Sequence, residues 1–431
     1  MSIETINIVL EEGLCTGCGT CIAICPKDAI TYHIDKQKGV YRPNINQSRC
    51  ASCGICLKSC PGQGVDFQEL NLEIFGKNPE NRYLGNFIGC YHGFSNNLDL
   101  RYSSSSGGLI TQILLFALDE GIIDGAIVTR MSRSNPLEPE AFIARTREEI
   151  LEAKGSKYCP VPVNLVLKEV MKSCENEKLA FVGLPCHLQG LRKVEKINKK
   201  IRQKIVLHLG IVCSQTPNFN ATEFLLKKLK LNKEDIQSIH YRGNGWPGSL
   251  RICTKSEEHS MPHVDSWSSG FGQFFYPYRC TLCFDHTAEF SDISFADAWI
   301  PEIKESDSIG SSLIIIRDQR LLDLLISMCS KNIITLNPVS EDKVILSQKY
   351  PINFKKEAIF TRISLLSSFG FKVPDYNITE HYSENNGFSL RDIRFYIKLN
   401  VYSKKYLWPI LIILGDIKRY ISLVYRRYFA N

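Results

Sequence analysis

The 431-residue sequence has no uninterrupted apolar run of membrane-spanning length, no GxxxxGK(S/T) phosphate loop, no HExxH pair and no Ser-His-Asp order. A membrane bundle, a P-loop nucleotidase, a zinc protease and a triad hydrolase are therefore without support. An excess of one charge is also missing from most of the chain. Fifty-two Lys and Arg face 45 Asp and Glu, and the whole net +7 falls in Leu390–Asn431, where nine basic residues meet two acidic ones. A neutral body argues against nucleic-acid binding. The opening, Met1 to Gly13, carries three glutamates and no Lys or Arg, so no secretory leader is expected and the cytoplasm is the expected compartment.

Cysteine, in contrast, is abundant, with seventeen in the chain. Disulfide scaffolds are short and poor in apolar residues, whereas this chain is 44% hydrophobic. The cysteines also recur at gaps of two and three, which suits metal binding in a reducing compartment.

Cys15-x-x-Cys18-x-x-Cys21-x-x-x-Cys25-Pro26 is repeated as Cys50-x-x-Cys53-x-x-Cys56-x-x-x-Cys60-Pro61. Three thiolates two residues apart can wrap one face of a cubane cluster, while the fourth, before proline, is carried to the other cluster. One 4Fe-4S centre is thus expected on Cys15, Cys18, Cys21 and Cys60, and a second on Cys50, Cys53, Cys56 and Cys25. A pair of zinc sites fits poorly, because zinc ribbons use two CxxC pairs and stop at four sulfurs. Thr31–Ile34 and Val40–Ile45 read as a strand pair between the halves. The segment from Thr5 to Phe67 resembles two-cluster bacterial ferredoxins.

Glu69 to Arg82, with Gly76, Lys77, Asn78 and Pro79, reads as a linker. Beyond it strands and helices alternate. Helices are expected at Leu109–Leu118, Thr146–Lys154, Cys186–Val194 and Asn218–Leu229, and strands at Ile122–Val128, Lys178–Val182 and Ile205–Val212. Three features carry chemistry. Ser103 to Ser106 with Gly107 and Gly108, directly before a helix, suits a phosphate or serves as a plain N-cap. Gly155-Ser156-Lys157-Tyr158 combines a cation, a hydroxyl and a ring, enough for a planar anion or for an ordinary surface loop. Cys186 and Cys213 follow strands and Cys280-x-x-Cys283 lies in an aromatic stretch. Four such thiols suffice for a third 4Fe-4S cluster. The alternative is two buried apolar cysteines and a separate CxxC.

From about Leu84 to Leu336 the chain resembles the family of beta subunits of coenzyme F420 hydrogenases and dehydrogenases. The motifs are Arg101-Tyr-Ser-Ser-Ser-Ser-Gly-Gly108, Ile123-Asp-Gly-Ala126, Gly155-Ser-Lys-Tyr158, Gly183-Leu-Pro-Cys186, Tyr241-Arg-Gly-Asn-Gly-Trp-Pro-Gly248, Cys280-x-x-Cys283 and Ser291-Asp-Ile-Ser-Phe-Ala-Asp-Ala-Trp299. The resemblance implies a non-covalent FAD beside a 4Fe-4S cluster. Residue by residue, it makes Ser106, Gly107, Gly108, Ser156, Lys157 and Tyr158 flavin contacts, and Cys186, Cys213, Cys280 and Cys283 the ligands of a third cluster. His187, where many members carry Gln, and Phe295-Ala296-Asp297, where Gly-Asp is common, depart from the pattern.

The expected class is α+β: a ferredoxin-like two-cluster domain (1–70), a linker (71–83), an α/β flavin-binding body in two regions (84–160 and 161–340), and an extension with a helical tail (341–431). Ser389–Tyr406 and Ile410–Phe429 read as tail helices split at Pro409, the second basic, aromatic and amphipathic, as suits peripheral contact with an anionic membrane or docking on the body. The expected function is an iron–sulfur flavoprotein oxidoreductase working between a redox partner protein and a small-molecule hydride donor or acceptor. The alternatives are a non-catalytic electron-relay subunit and a zinc-stabilised interaction protein.

Overall fold

The computed structural model describes residues 4–378 and 390–415. At the N-terminal end, β1 (Ile30–Asp35) and β2 (Val40–Ile45) pair antiparallel. Two four-residue helices, Thr20–Ala23 and Ile55–Lys58, repeat one local design. Each is entered through a glycine at positive φ, Gly19 at 87° and Gly54 at 72°. A Cβ is strained in that region, so the repeat spells Gly at both places.

The first half of the expected linker is a helix, Phe67–Phe75. The Asp66 carboxylate accepts from the Glu69 N–H, and Gly76 ends the helix at φ 70°. Phe67 and Leu70 face a buried cluster with Phe284 and Phe290, so this segment is packed on the body. The loop-like composition describes only the stretch after Gly76.

The body is built on an eight-stranded sheet. Its strands are β3 (Gly89–Ser95), β4 (Gly125–Met131), β5 (Pro139–Ala144), β6 (Leu179–Gly183) and β7 (Ile205–Ile211), then β11 (Ile293–Asp297), β12 (Ser312–Ile316) and β13 (Ile334–Pro338). Between them β8 (Ile236–His240), β9 (Ser249–Thr254) and β10 (Glu258–Pro262) make a small antiparallel sheet. The large sheet runs β13-β3-β12-β11-β7-β6-β4-β5. Four consecutive strands, β11, β7, β6 and β4, are parallel. Parallel strands are covered on both faces, and β6 and β7 are accordingly apolar almost throughout. On one side Ala180 and Leu209 pack with Ile113 and Leu114 of helix Leu109–Asp119. On the other, Phe181 packs with Leu188 and Leu191 of helix Pro185–Ile197.

The extension folds back onto the molecule. Its helix Ile359–Ser368 packs Ile359 and Ile363 beside Phe284 and Val65, and Asp375 pairs with Gly64. The first tail helix is regular only over Leu390–Ile397, followed by a wider turn at Lys398–Tyr402. The break falls at Ser403–Lys404 and not at Pro409, which sits in the first turn of the next helix, where its missing N–H costs nothing. Trp408 is buried between Phe224 and Phe275, and Lys405 pairs with Glu223, so this end of the tail docks on the body. Ile410, Ile413 and Leu414 remain exposed. The expected helix beyond residue 415 lies outside the described residues. Among the described residues no helix is long and apolar enough to cross a membrane.

A buried quartet anchors the centre of the sheet. His208 on β7 contacts Glu195 Oε1 through Nε2 at 2.8 Å and Asp292 Oδ2 through Nδ1 at 3.0 Å. Arg192 donates to both carboxylates at 3.0 Å. Both ring nitrogens face carboxylates, an arrangement that only imidazolium satisfies fully. Burial and Arg192 oppose the charge, and the two carboxylates outweigh them, so the His208 pKa is raised above 6.5. A raised folded-state value means stability that is full below pH 6.5 and lost as pH rises through that value. Denaturant titrations between pH 6 and 9 are expected to show this decline. His208→Gln should cost about 3 kcal/mol at low pH and flatten the profile; an unchanged profile contradicts the charged quartet.

Candidate redox site

None of the seventeen cysteines is in a disulfide. Cys15, Cys18, Cys21 and Cys60 line one cavity, Cys56 lies near Cys53 and Cys25, and Cys186, Cys213, Cys280 and Cys283 lie near one another. Burial, then Cys60 and Cys18, push Cys15 up to about 12. Cys21 is raised well above its usual value by burial, then by Cys60, Cys15 and Cys18. Burial and Cys18 bring Cys60 to about 11. Cys56 is raised by burial, with Cys53 and Cys25 adding to it. Burial lifts Cys186 strongly, helped by Cys213, Cys280 and Cys283, and takes Cys280 to about 11. Cys60 thus lies with the thiols of the first repeat and Cys25 near Cys56 of the second. Cys186, Cys213, Cys280 and Cys283, from three separate parts of the chain, also converge.

Local structure explains each placement. Cys186 lies in the first turn of helix Pro185–Ile197, where free N–H groups favour a thiolate. Cys213 follows the carboxyl end of β7, and its N–H donates to the His286 carbonyl at 3.0 Å. Backbone N–H groups point at sulfur in both repeats. Gly17 donates to Cys15 Sγ and Ser52 to Cys50 Sγ, both at 3.4 Å, with Gly17 and Ser52 at positive φ. Ala29 does the same for Cys25 at 3.4 Å and Gly62 for Cys60 at 3.3 Å.

These sites fit iron–sulfur clusters in their donor chemistry. Cys15, Cys18, Cys21 and Cys60 line one cavity whose other walls include Ile6, Ile22, Tyr41 and Pro43, with no acid or histidine among them. Thiols that burial holds protonated become thiolates when metal charge compensates them. N–H groups aimed at sulfur tune cluster potentials. Among the described residues no three Cys, His, Asp or Glu close on one point as a single ion requires. A cubane, binding each thiolate through a different iron, needs no such convergence.

Cys21 also feels Cys56 of the second repeat, Cys186 feels Cys18 of the first, and Cys53 is exposed. The contact between ferredoxin segment and body is dense. Asn164 takes the Cys18 carbonyl with its N–H at 2.9 Å, and its Nδ2 donates to Thr20 Oγ1 at 2.8 Å and to the His187 carbonyl at 2.9 Å. Arg279, next to Cys280, donates to the carbonyls of Gly62 and Pro61 at 2.9 and 3.1 Å. Lys193 holds the Cys60 and Gly64 carbonyls at 2.8 and 3.0 Å.

The expected flavin contacts gather in one cluster of loops. Ser156 N–H donates to Ser105 Oγ at 2.8 Å. Ser106 Oγ donates to the Ser311 carbonyl at 2.7 Å, and Gly107 N–H to Ser312 Oγ at 3.0 Å. Gly107 has no room for a side chain, since a Cβ would meet the Gly93 carbonyl at 2.5 Å. Gly108, at φ 75°, opens the helix. Lys157 Nζ donates to the carbonyls of Ala153, Lys154 and Gly155, closing the preceding helix. The Tyr158 hydroxyl faces Arg242 at 3.4 Å, and its ring stacks on His263, whose buried Nδ1 has no hydrogen-bond partner. Arg242 grips Asp297 through both Nη atoms at 2.6 and 2.9 Å, and Trp246 Nε1 donates to the same carboxylate at 3.0 Å. Trp246 lies 4.5 Å from Trp299, which lines an open cleft of about 580 Å³ with Ser214, Gln348, Lys349, Tyr350 and Asn353. The cleft thus extends from Trp299 to Ser214, the neighbour of Cys213.

His187 Nδ1 accepts from the Leu184 N–H at 3.1 Å, capping its own helix, and burial lowers it to about 4. Sequence reasoning missed Lys355 and Lys356, which resemble a solvated pair. Both are buried. Lys356 pairs with Glu289. Lys355 Nζ lies 3.3 Å from Cys283 Sγ. Burial opposes its charge, yet Cys283, Cys213 and Cys280 outweigh this and raise its pKa.

Residues 90–168 and 176–342 match the N- and C-terminal models of "Coenzyme F420 hydrogenase/dehydrogenase, beta subunit", and residues 14–63 match a 4Fe-4S dicluster domain. A coenzyme F420 hydrogenase subunit beta of Methanothermobacter thermautotrophicus is 30% identical over 241 residues, 54% of this chain and 81% of that one. The chain belongs to the family of coenzyme F420 hydrogenase/dehydrogenase beta subunits. Other relatives are a subunit of the F420H2 dehydrogenase of Methanosarcina mazei, 26% identical over 68% of this chain and 78% of that one, and a coenzyme F420-dependent sulfite reductase of Methanocaldococcus jannaschii, 24% identical over 73% of this chain but only 46% of that one. In fold, 70% of the chain is similar to 99% of a chain of the F420-reducing [NiFe] hydrogenase complex from Methanosarcina barkeri, with a TM-score of 0.55 at 22% identity. Both family models end before the extension that carries Lys355.

Gly190 measures the contact between the two parts. A Cβ there would lie 2.3 Å from Thr20 Oγ1 and 2.8 Å from Asn164 Nδ2. In an open helix Gly→Ala stabilises by up to about 1 kcal/mol. Here Gly190→Ala is expected to destabilise by about 1–3 kcal/mol in denaturant titration; a gain in stability contradicts the packing.

Proposed function

We propose that this family member is an iron–sulfur flavoprotein oxidoreductase that passes electrons between a one-electron redox partner protein and a small-molecule hydride acceptor or donor. The reading is supported by the cavity that Cys15, Cys18, Cys21 and Cys60 line and by the nearness of Cys186, Cys213, Cys280 and Cys283 to one another, beside an open cleft at Ser214. Cys15, Cys18, Cys21 and Cys60 hold one 4Fe-4S cluster, Cys50, Cys53, Cys56 and Cys25 the second, and Cys186, Cys213, Cys280 and Cys283 the third. The loops of Ser106, Gly107, Gly108, Ser156, Lys157 and Tyr158, with Arg242, hold FAD. Bound there, FAD supplies exchange between single electrons and hydride, which clusters alone do not perform.

The chain's own residues supply position and environment. Asn164, Arg279 and Lys193 hold the ferredoxin segment against the body, and the apolar walls around the thiols keep water away. Several relatives carry coenzyme F420 in their names, which makes a deazaflavin one candidate substrate. A peripheral contact of the tail with an anionic membrane is also proposed, supported by exposed Ile410, Ile413 and Leu414 and the basic residues after them in sequence.

Anaerobic purification with visible spectroscopy tests the reading. Flavin bands above the cluster absorption are expected, and Cys280→Ser/Cys283→Ser should lose about four irons per chain and slow flavin reduction. Cluster absorption without flavin favours a relay subunit, and unchanged iron removes the third site.

A further inference from the structure

The third thiol group has a feature that the other two lack among the described residues: a buried side-chain cation bonded to a sulfur. Lys355 belongs to the turn Asn353–Glu357 and is 2% exposed. Its Nζ lies 3.3 Å from Cys283 Sγ and donates to the Asp285 carbonyl at 2.7 Å. The two acceptors are a thiol sulfur and a backbone carbonyl. Lys356, the next residue, has a carboxylate partner in Glu289. In the first group Lys193 comes near, but its Nζ bonds the carbonyls of Cys60 and Gly64 and not a sulfur. The N-terminal sulfurs named above receive backbone N–H groups.

We infer that Lys355 is a positioning residue that sets the reduction potential of the third cluster, making it the electron sink of the series. This rests on the proposed third cluster. A cluster gains one negative charge on reduction. A fixed cation at hydrogen-bond distance from a ligand sulfur, out of water, stabilises the reduced form more than the oxidised one and raises the potential. The exposed outer group has water around it instead, which weakens such fields. The gradient favours flow inward from the redox partner toward the cleft. The cation comes from the extension, beyond residue 342 where the family model stops, so it is an addition to the shared body.

Potentiometric titration of the anaerobic full-length protein, followed by electron paramagnetic resonance, tests this. Lys355→Gln keeps a donor for the Asp285 carbonyl but removes the charge; Lys355→Arg keeps the charge. With about twelve irons per chain in each protein, Lys355→Gln should move one midpoint to more negative potential and leave two in place, while Lys355→Arg stays near wild type. The inference is overturned if Lys355→Gln moves no midpoint, if Lys355→Arg shifts as far as Lys355→Gln, or if Lys355→Gln alone falls to about eight irons, which makes the lysine an assembly residue. Wild type with about eight irons overturns the third cluster itself, a failure visible before any variant is compared.

Discussion

The structure brings thiols near one another largely out of water, with Cys53 at an exposed edge. A buried thiolate is costly alone, and four together repel, so the arrangement persists only when the backbone dictates it and positive charge compensates it. Short helices entered at Gly19 and Gly54 dictate it in the ferredoxin segment. In the body, strand ends, one helix N-terminus and a CxxC turn do the same work. The two architectures meet at Thr20, Asn164 and Gly190, where there is no space for an added methyl group. That contact holds the ferredoxin segment against the α/β body.

Part of this arrangement was legible in the sequence. The repeat with Cys-Pro at each end marks the 4Fe-4S dicluster domain, because spacing within a short segment determines which sulfurs can reach a common centre. The strands β6 and β7 and helices Leu109–Asp119 and Phe219–Lys228 were legible from apolar runs and periodicity. Strand order was not, since it depends on contacts between segments far apart in sequence. The helix Phe67–Phe75 was hidden by the Gly-Lys-Asn-Pro stretch that follows it, although Asp66 and Gly76 are its cap signals. Lys355 gave no signal at all: a lysine pair reads as surface until the fold shows what covers it.

The loops around Arg242 and Asp297 show how far motif reading extends. The fold brings Ser105, Ser156, Tyr158, Trp246 and Asp297 into one neighbourhood; motif reading names Ser156 and Tyr158 among these as flavin contacts, but not Ser105 or Asp297. Nor does it foresee that Lys157 would cap a helix or that Gly107 would be wedged between strands. The walls of the cleft come largely from residues 346–353, outside the family models.

The central claim is that three groups of thiols hold iron and sulfide. Paired chemical assay of iron and acid-labile sulfide in anaerobically prepared full-length protein tests it most directly. The account predicts about twelve of each per chain. Zinc in place of iron, or iron without sulfide, would contradict it.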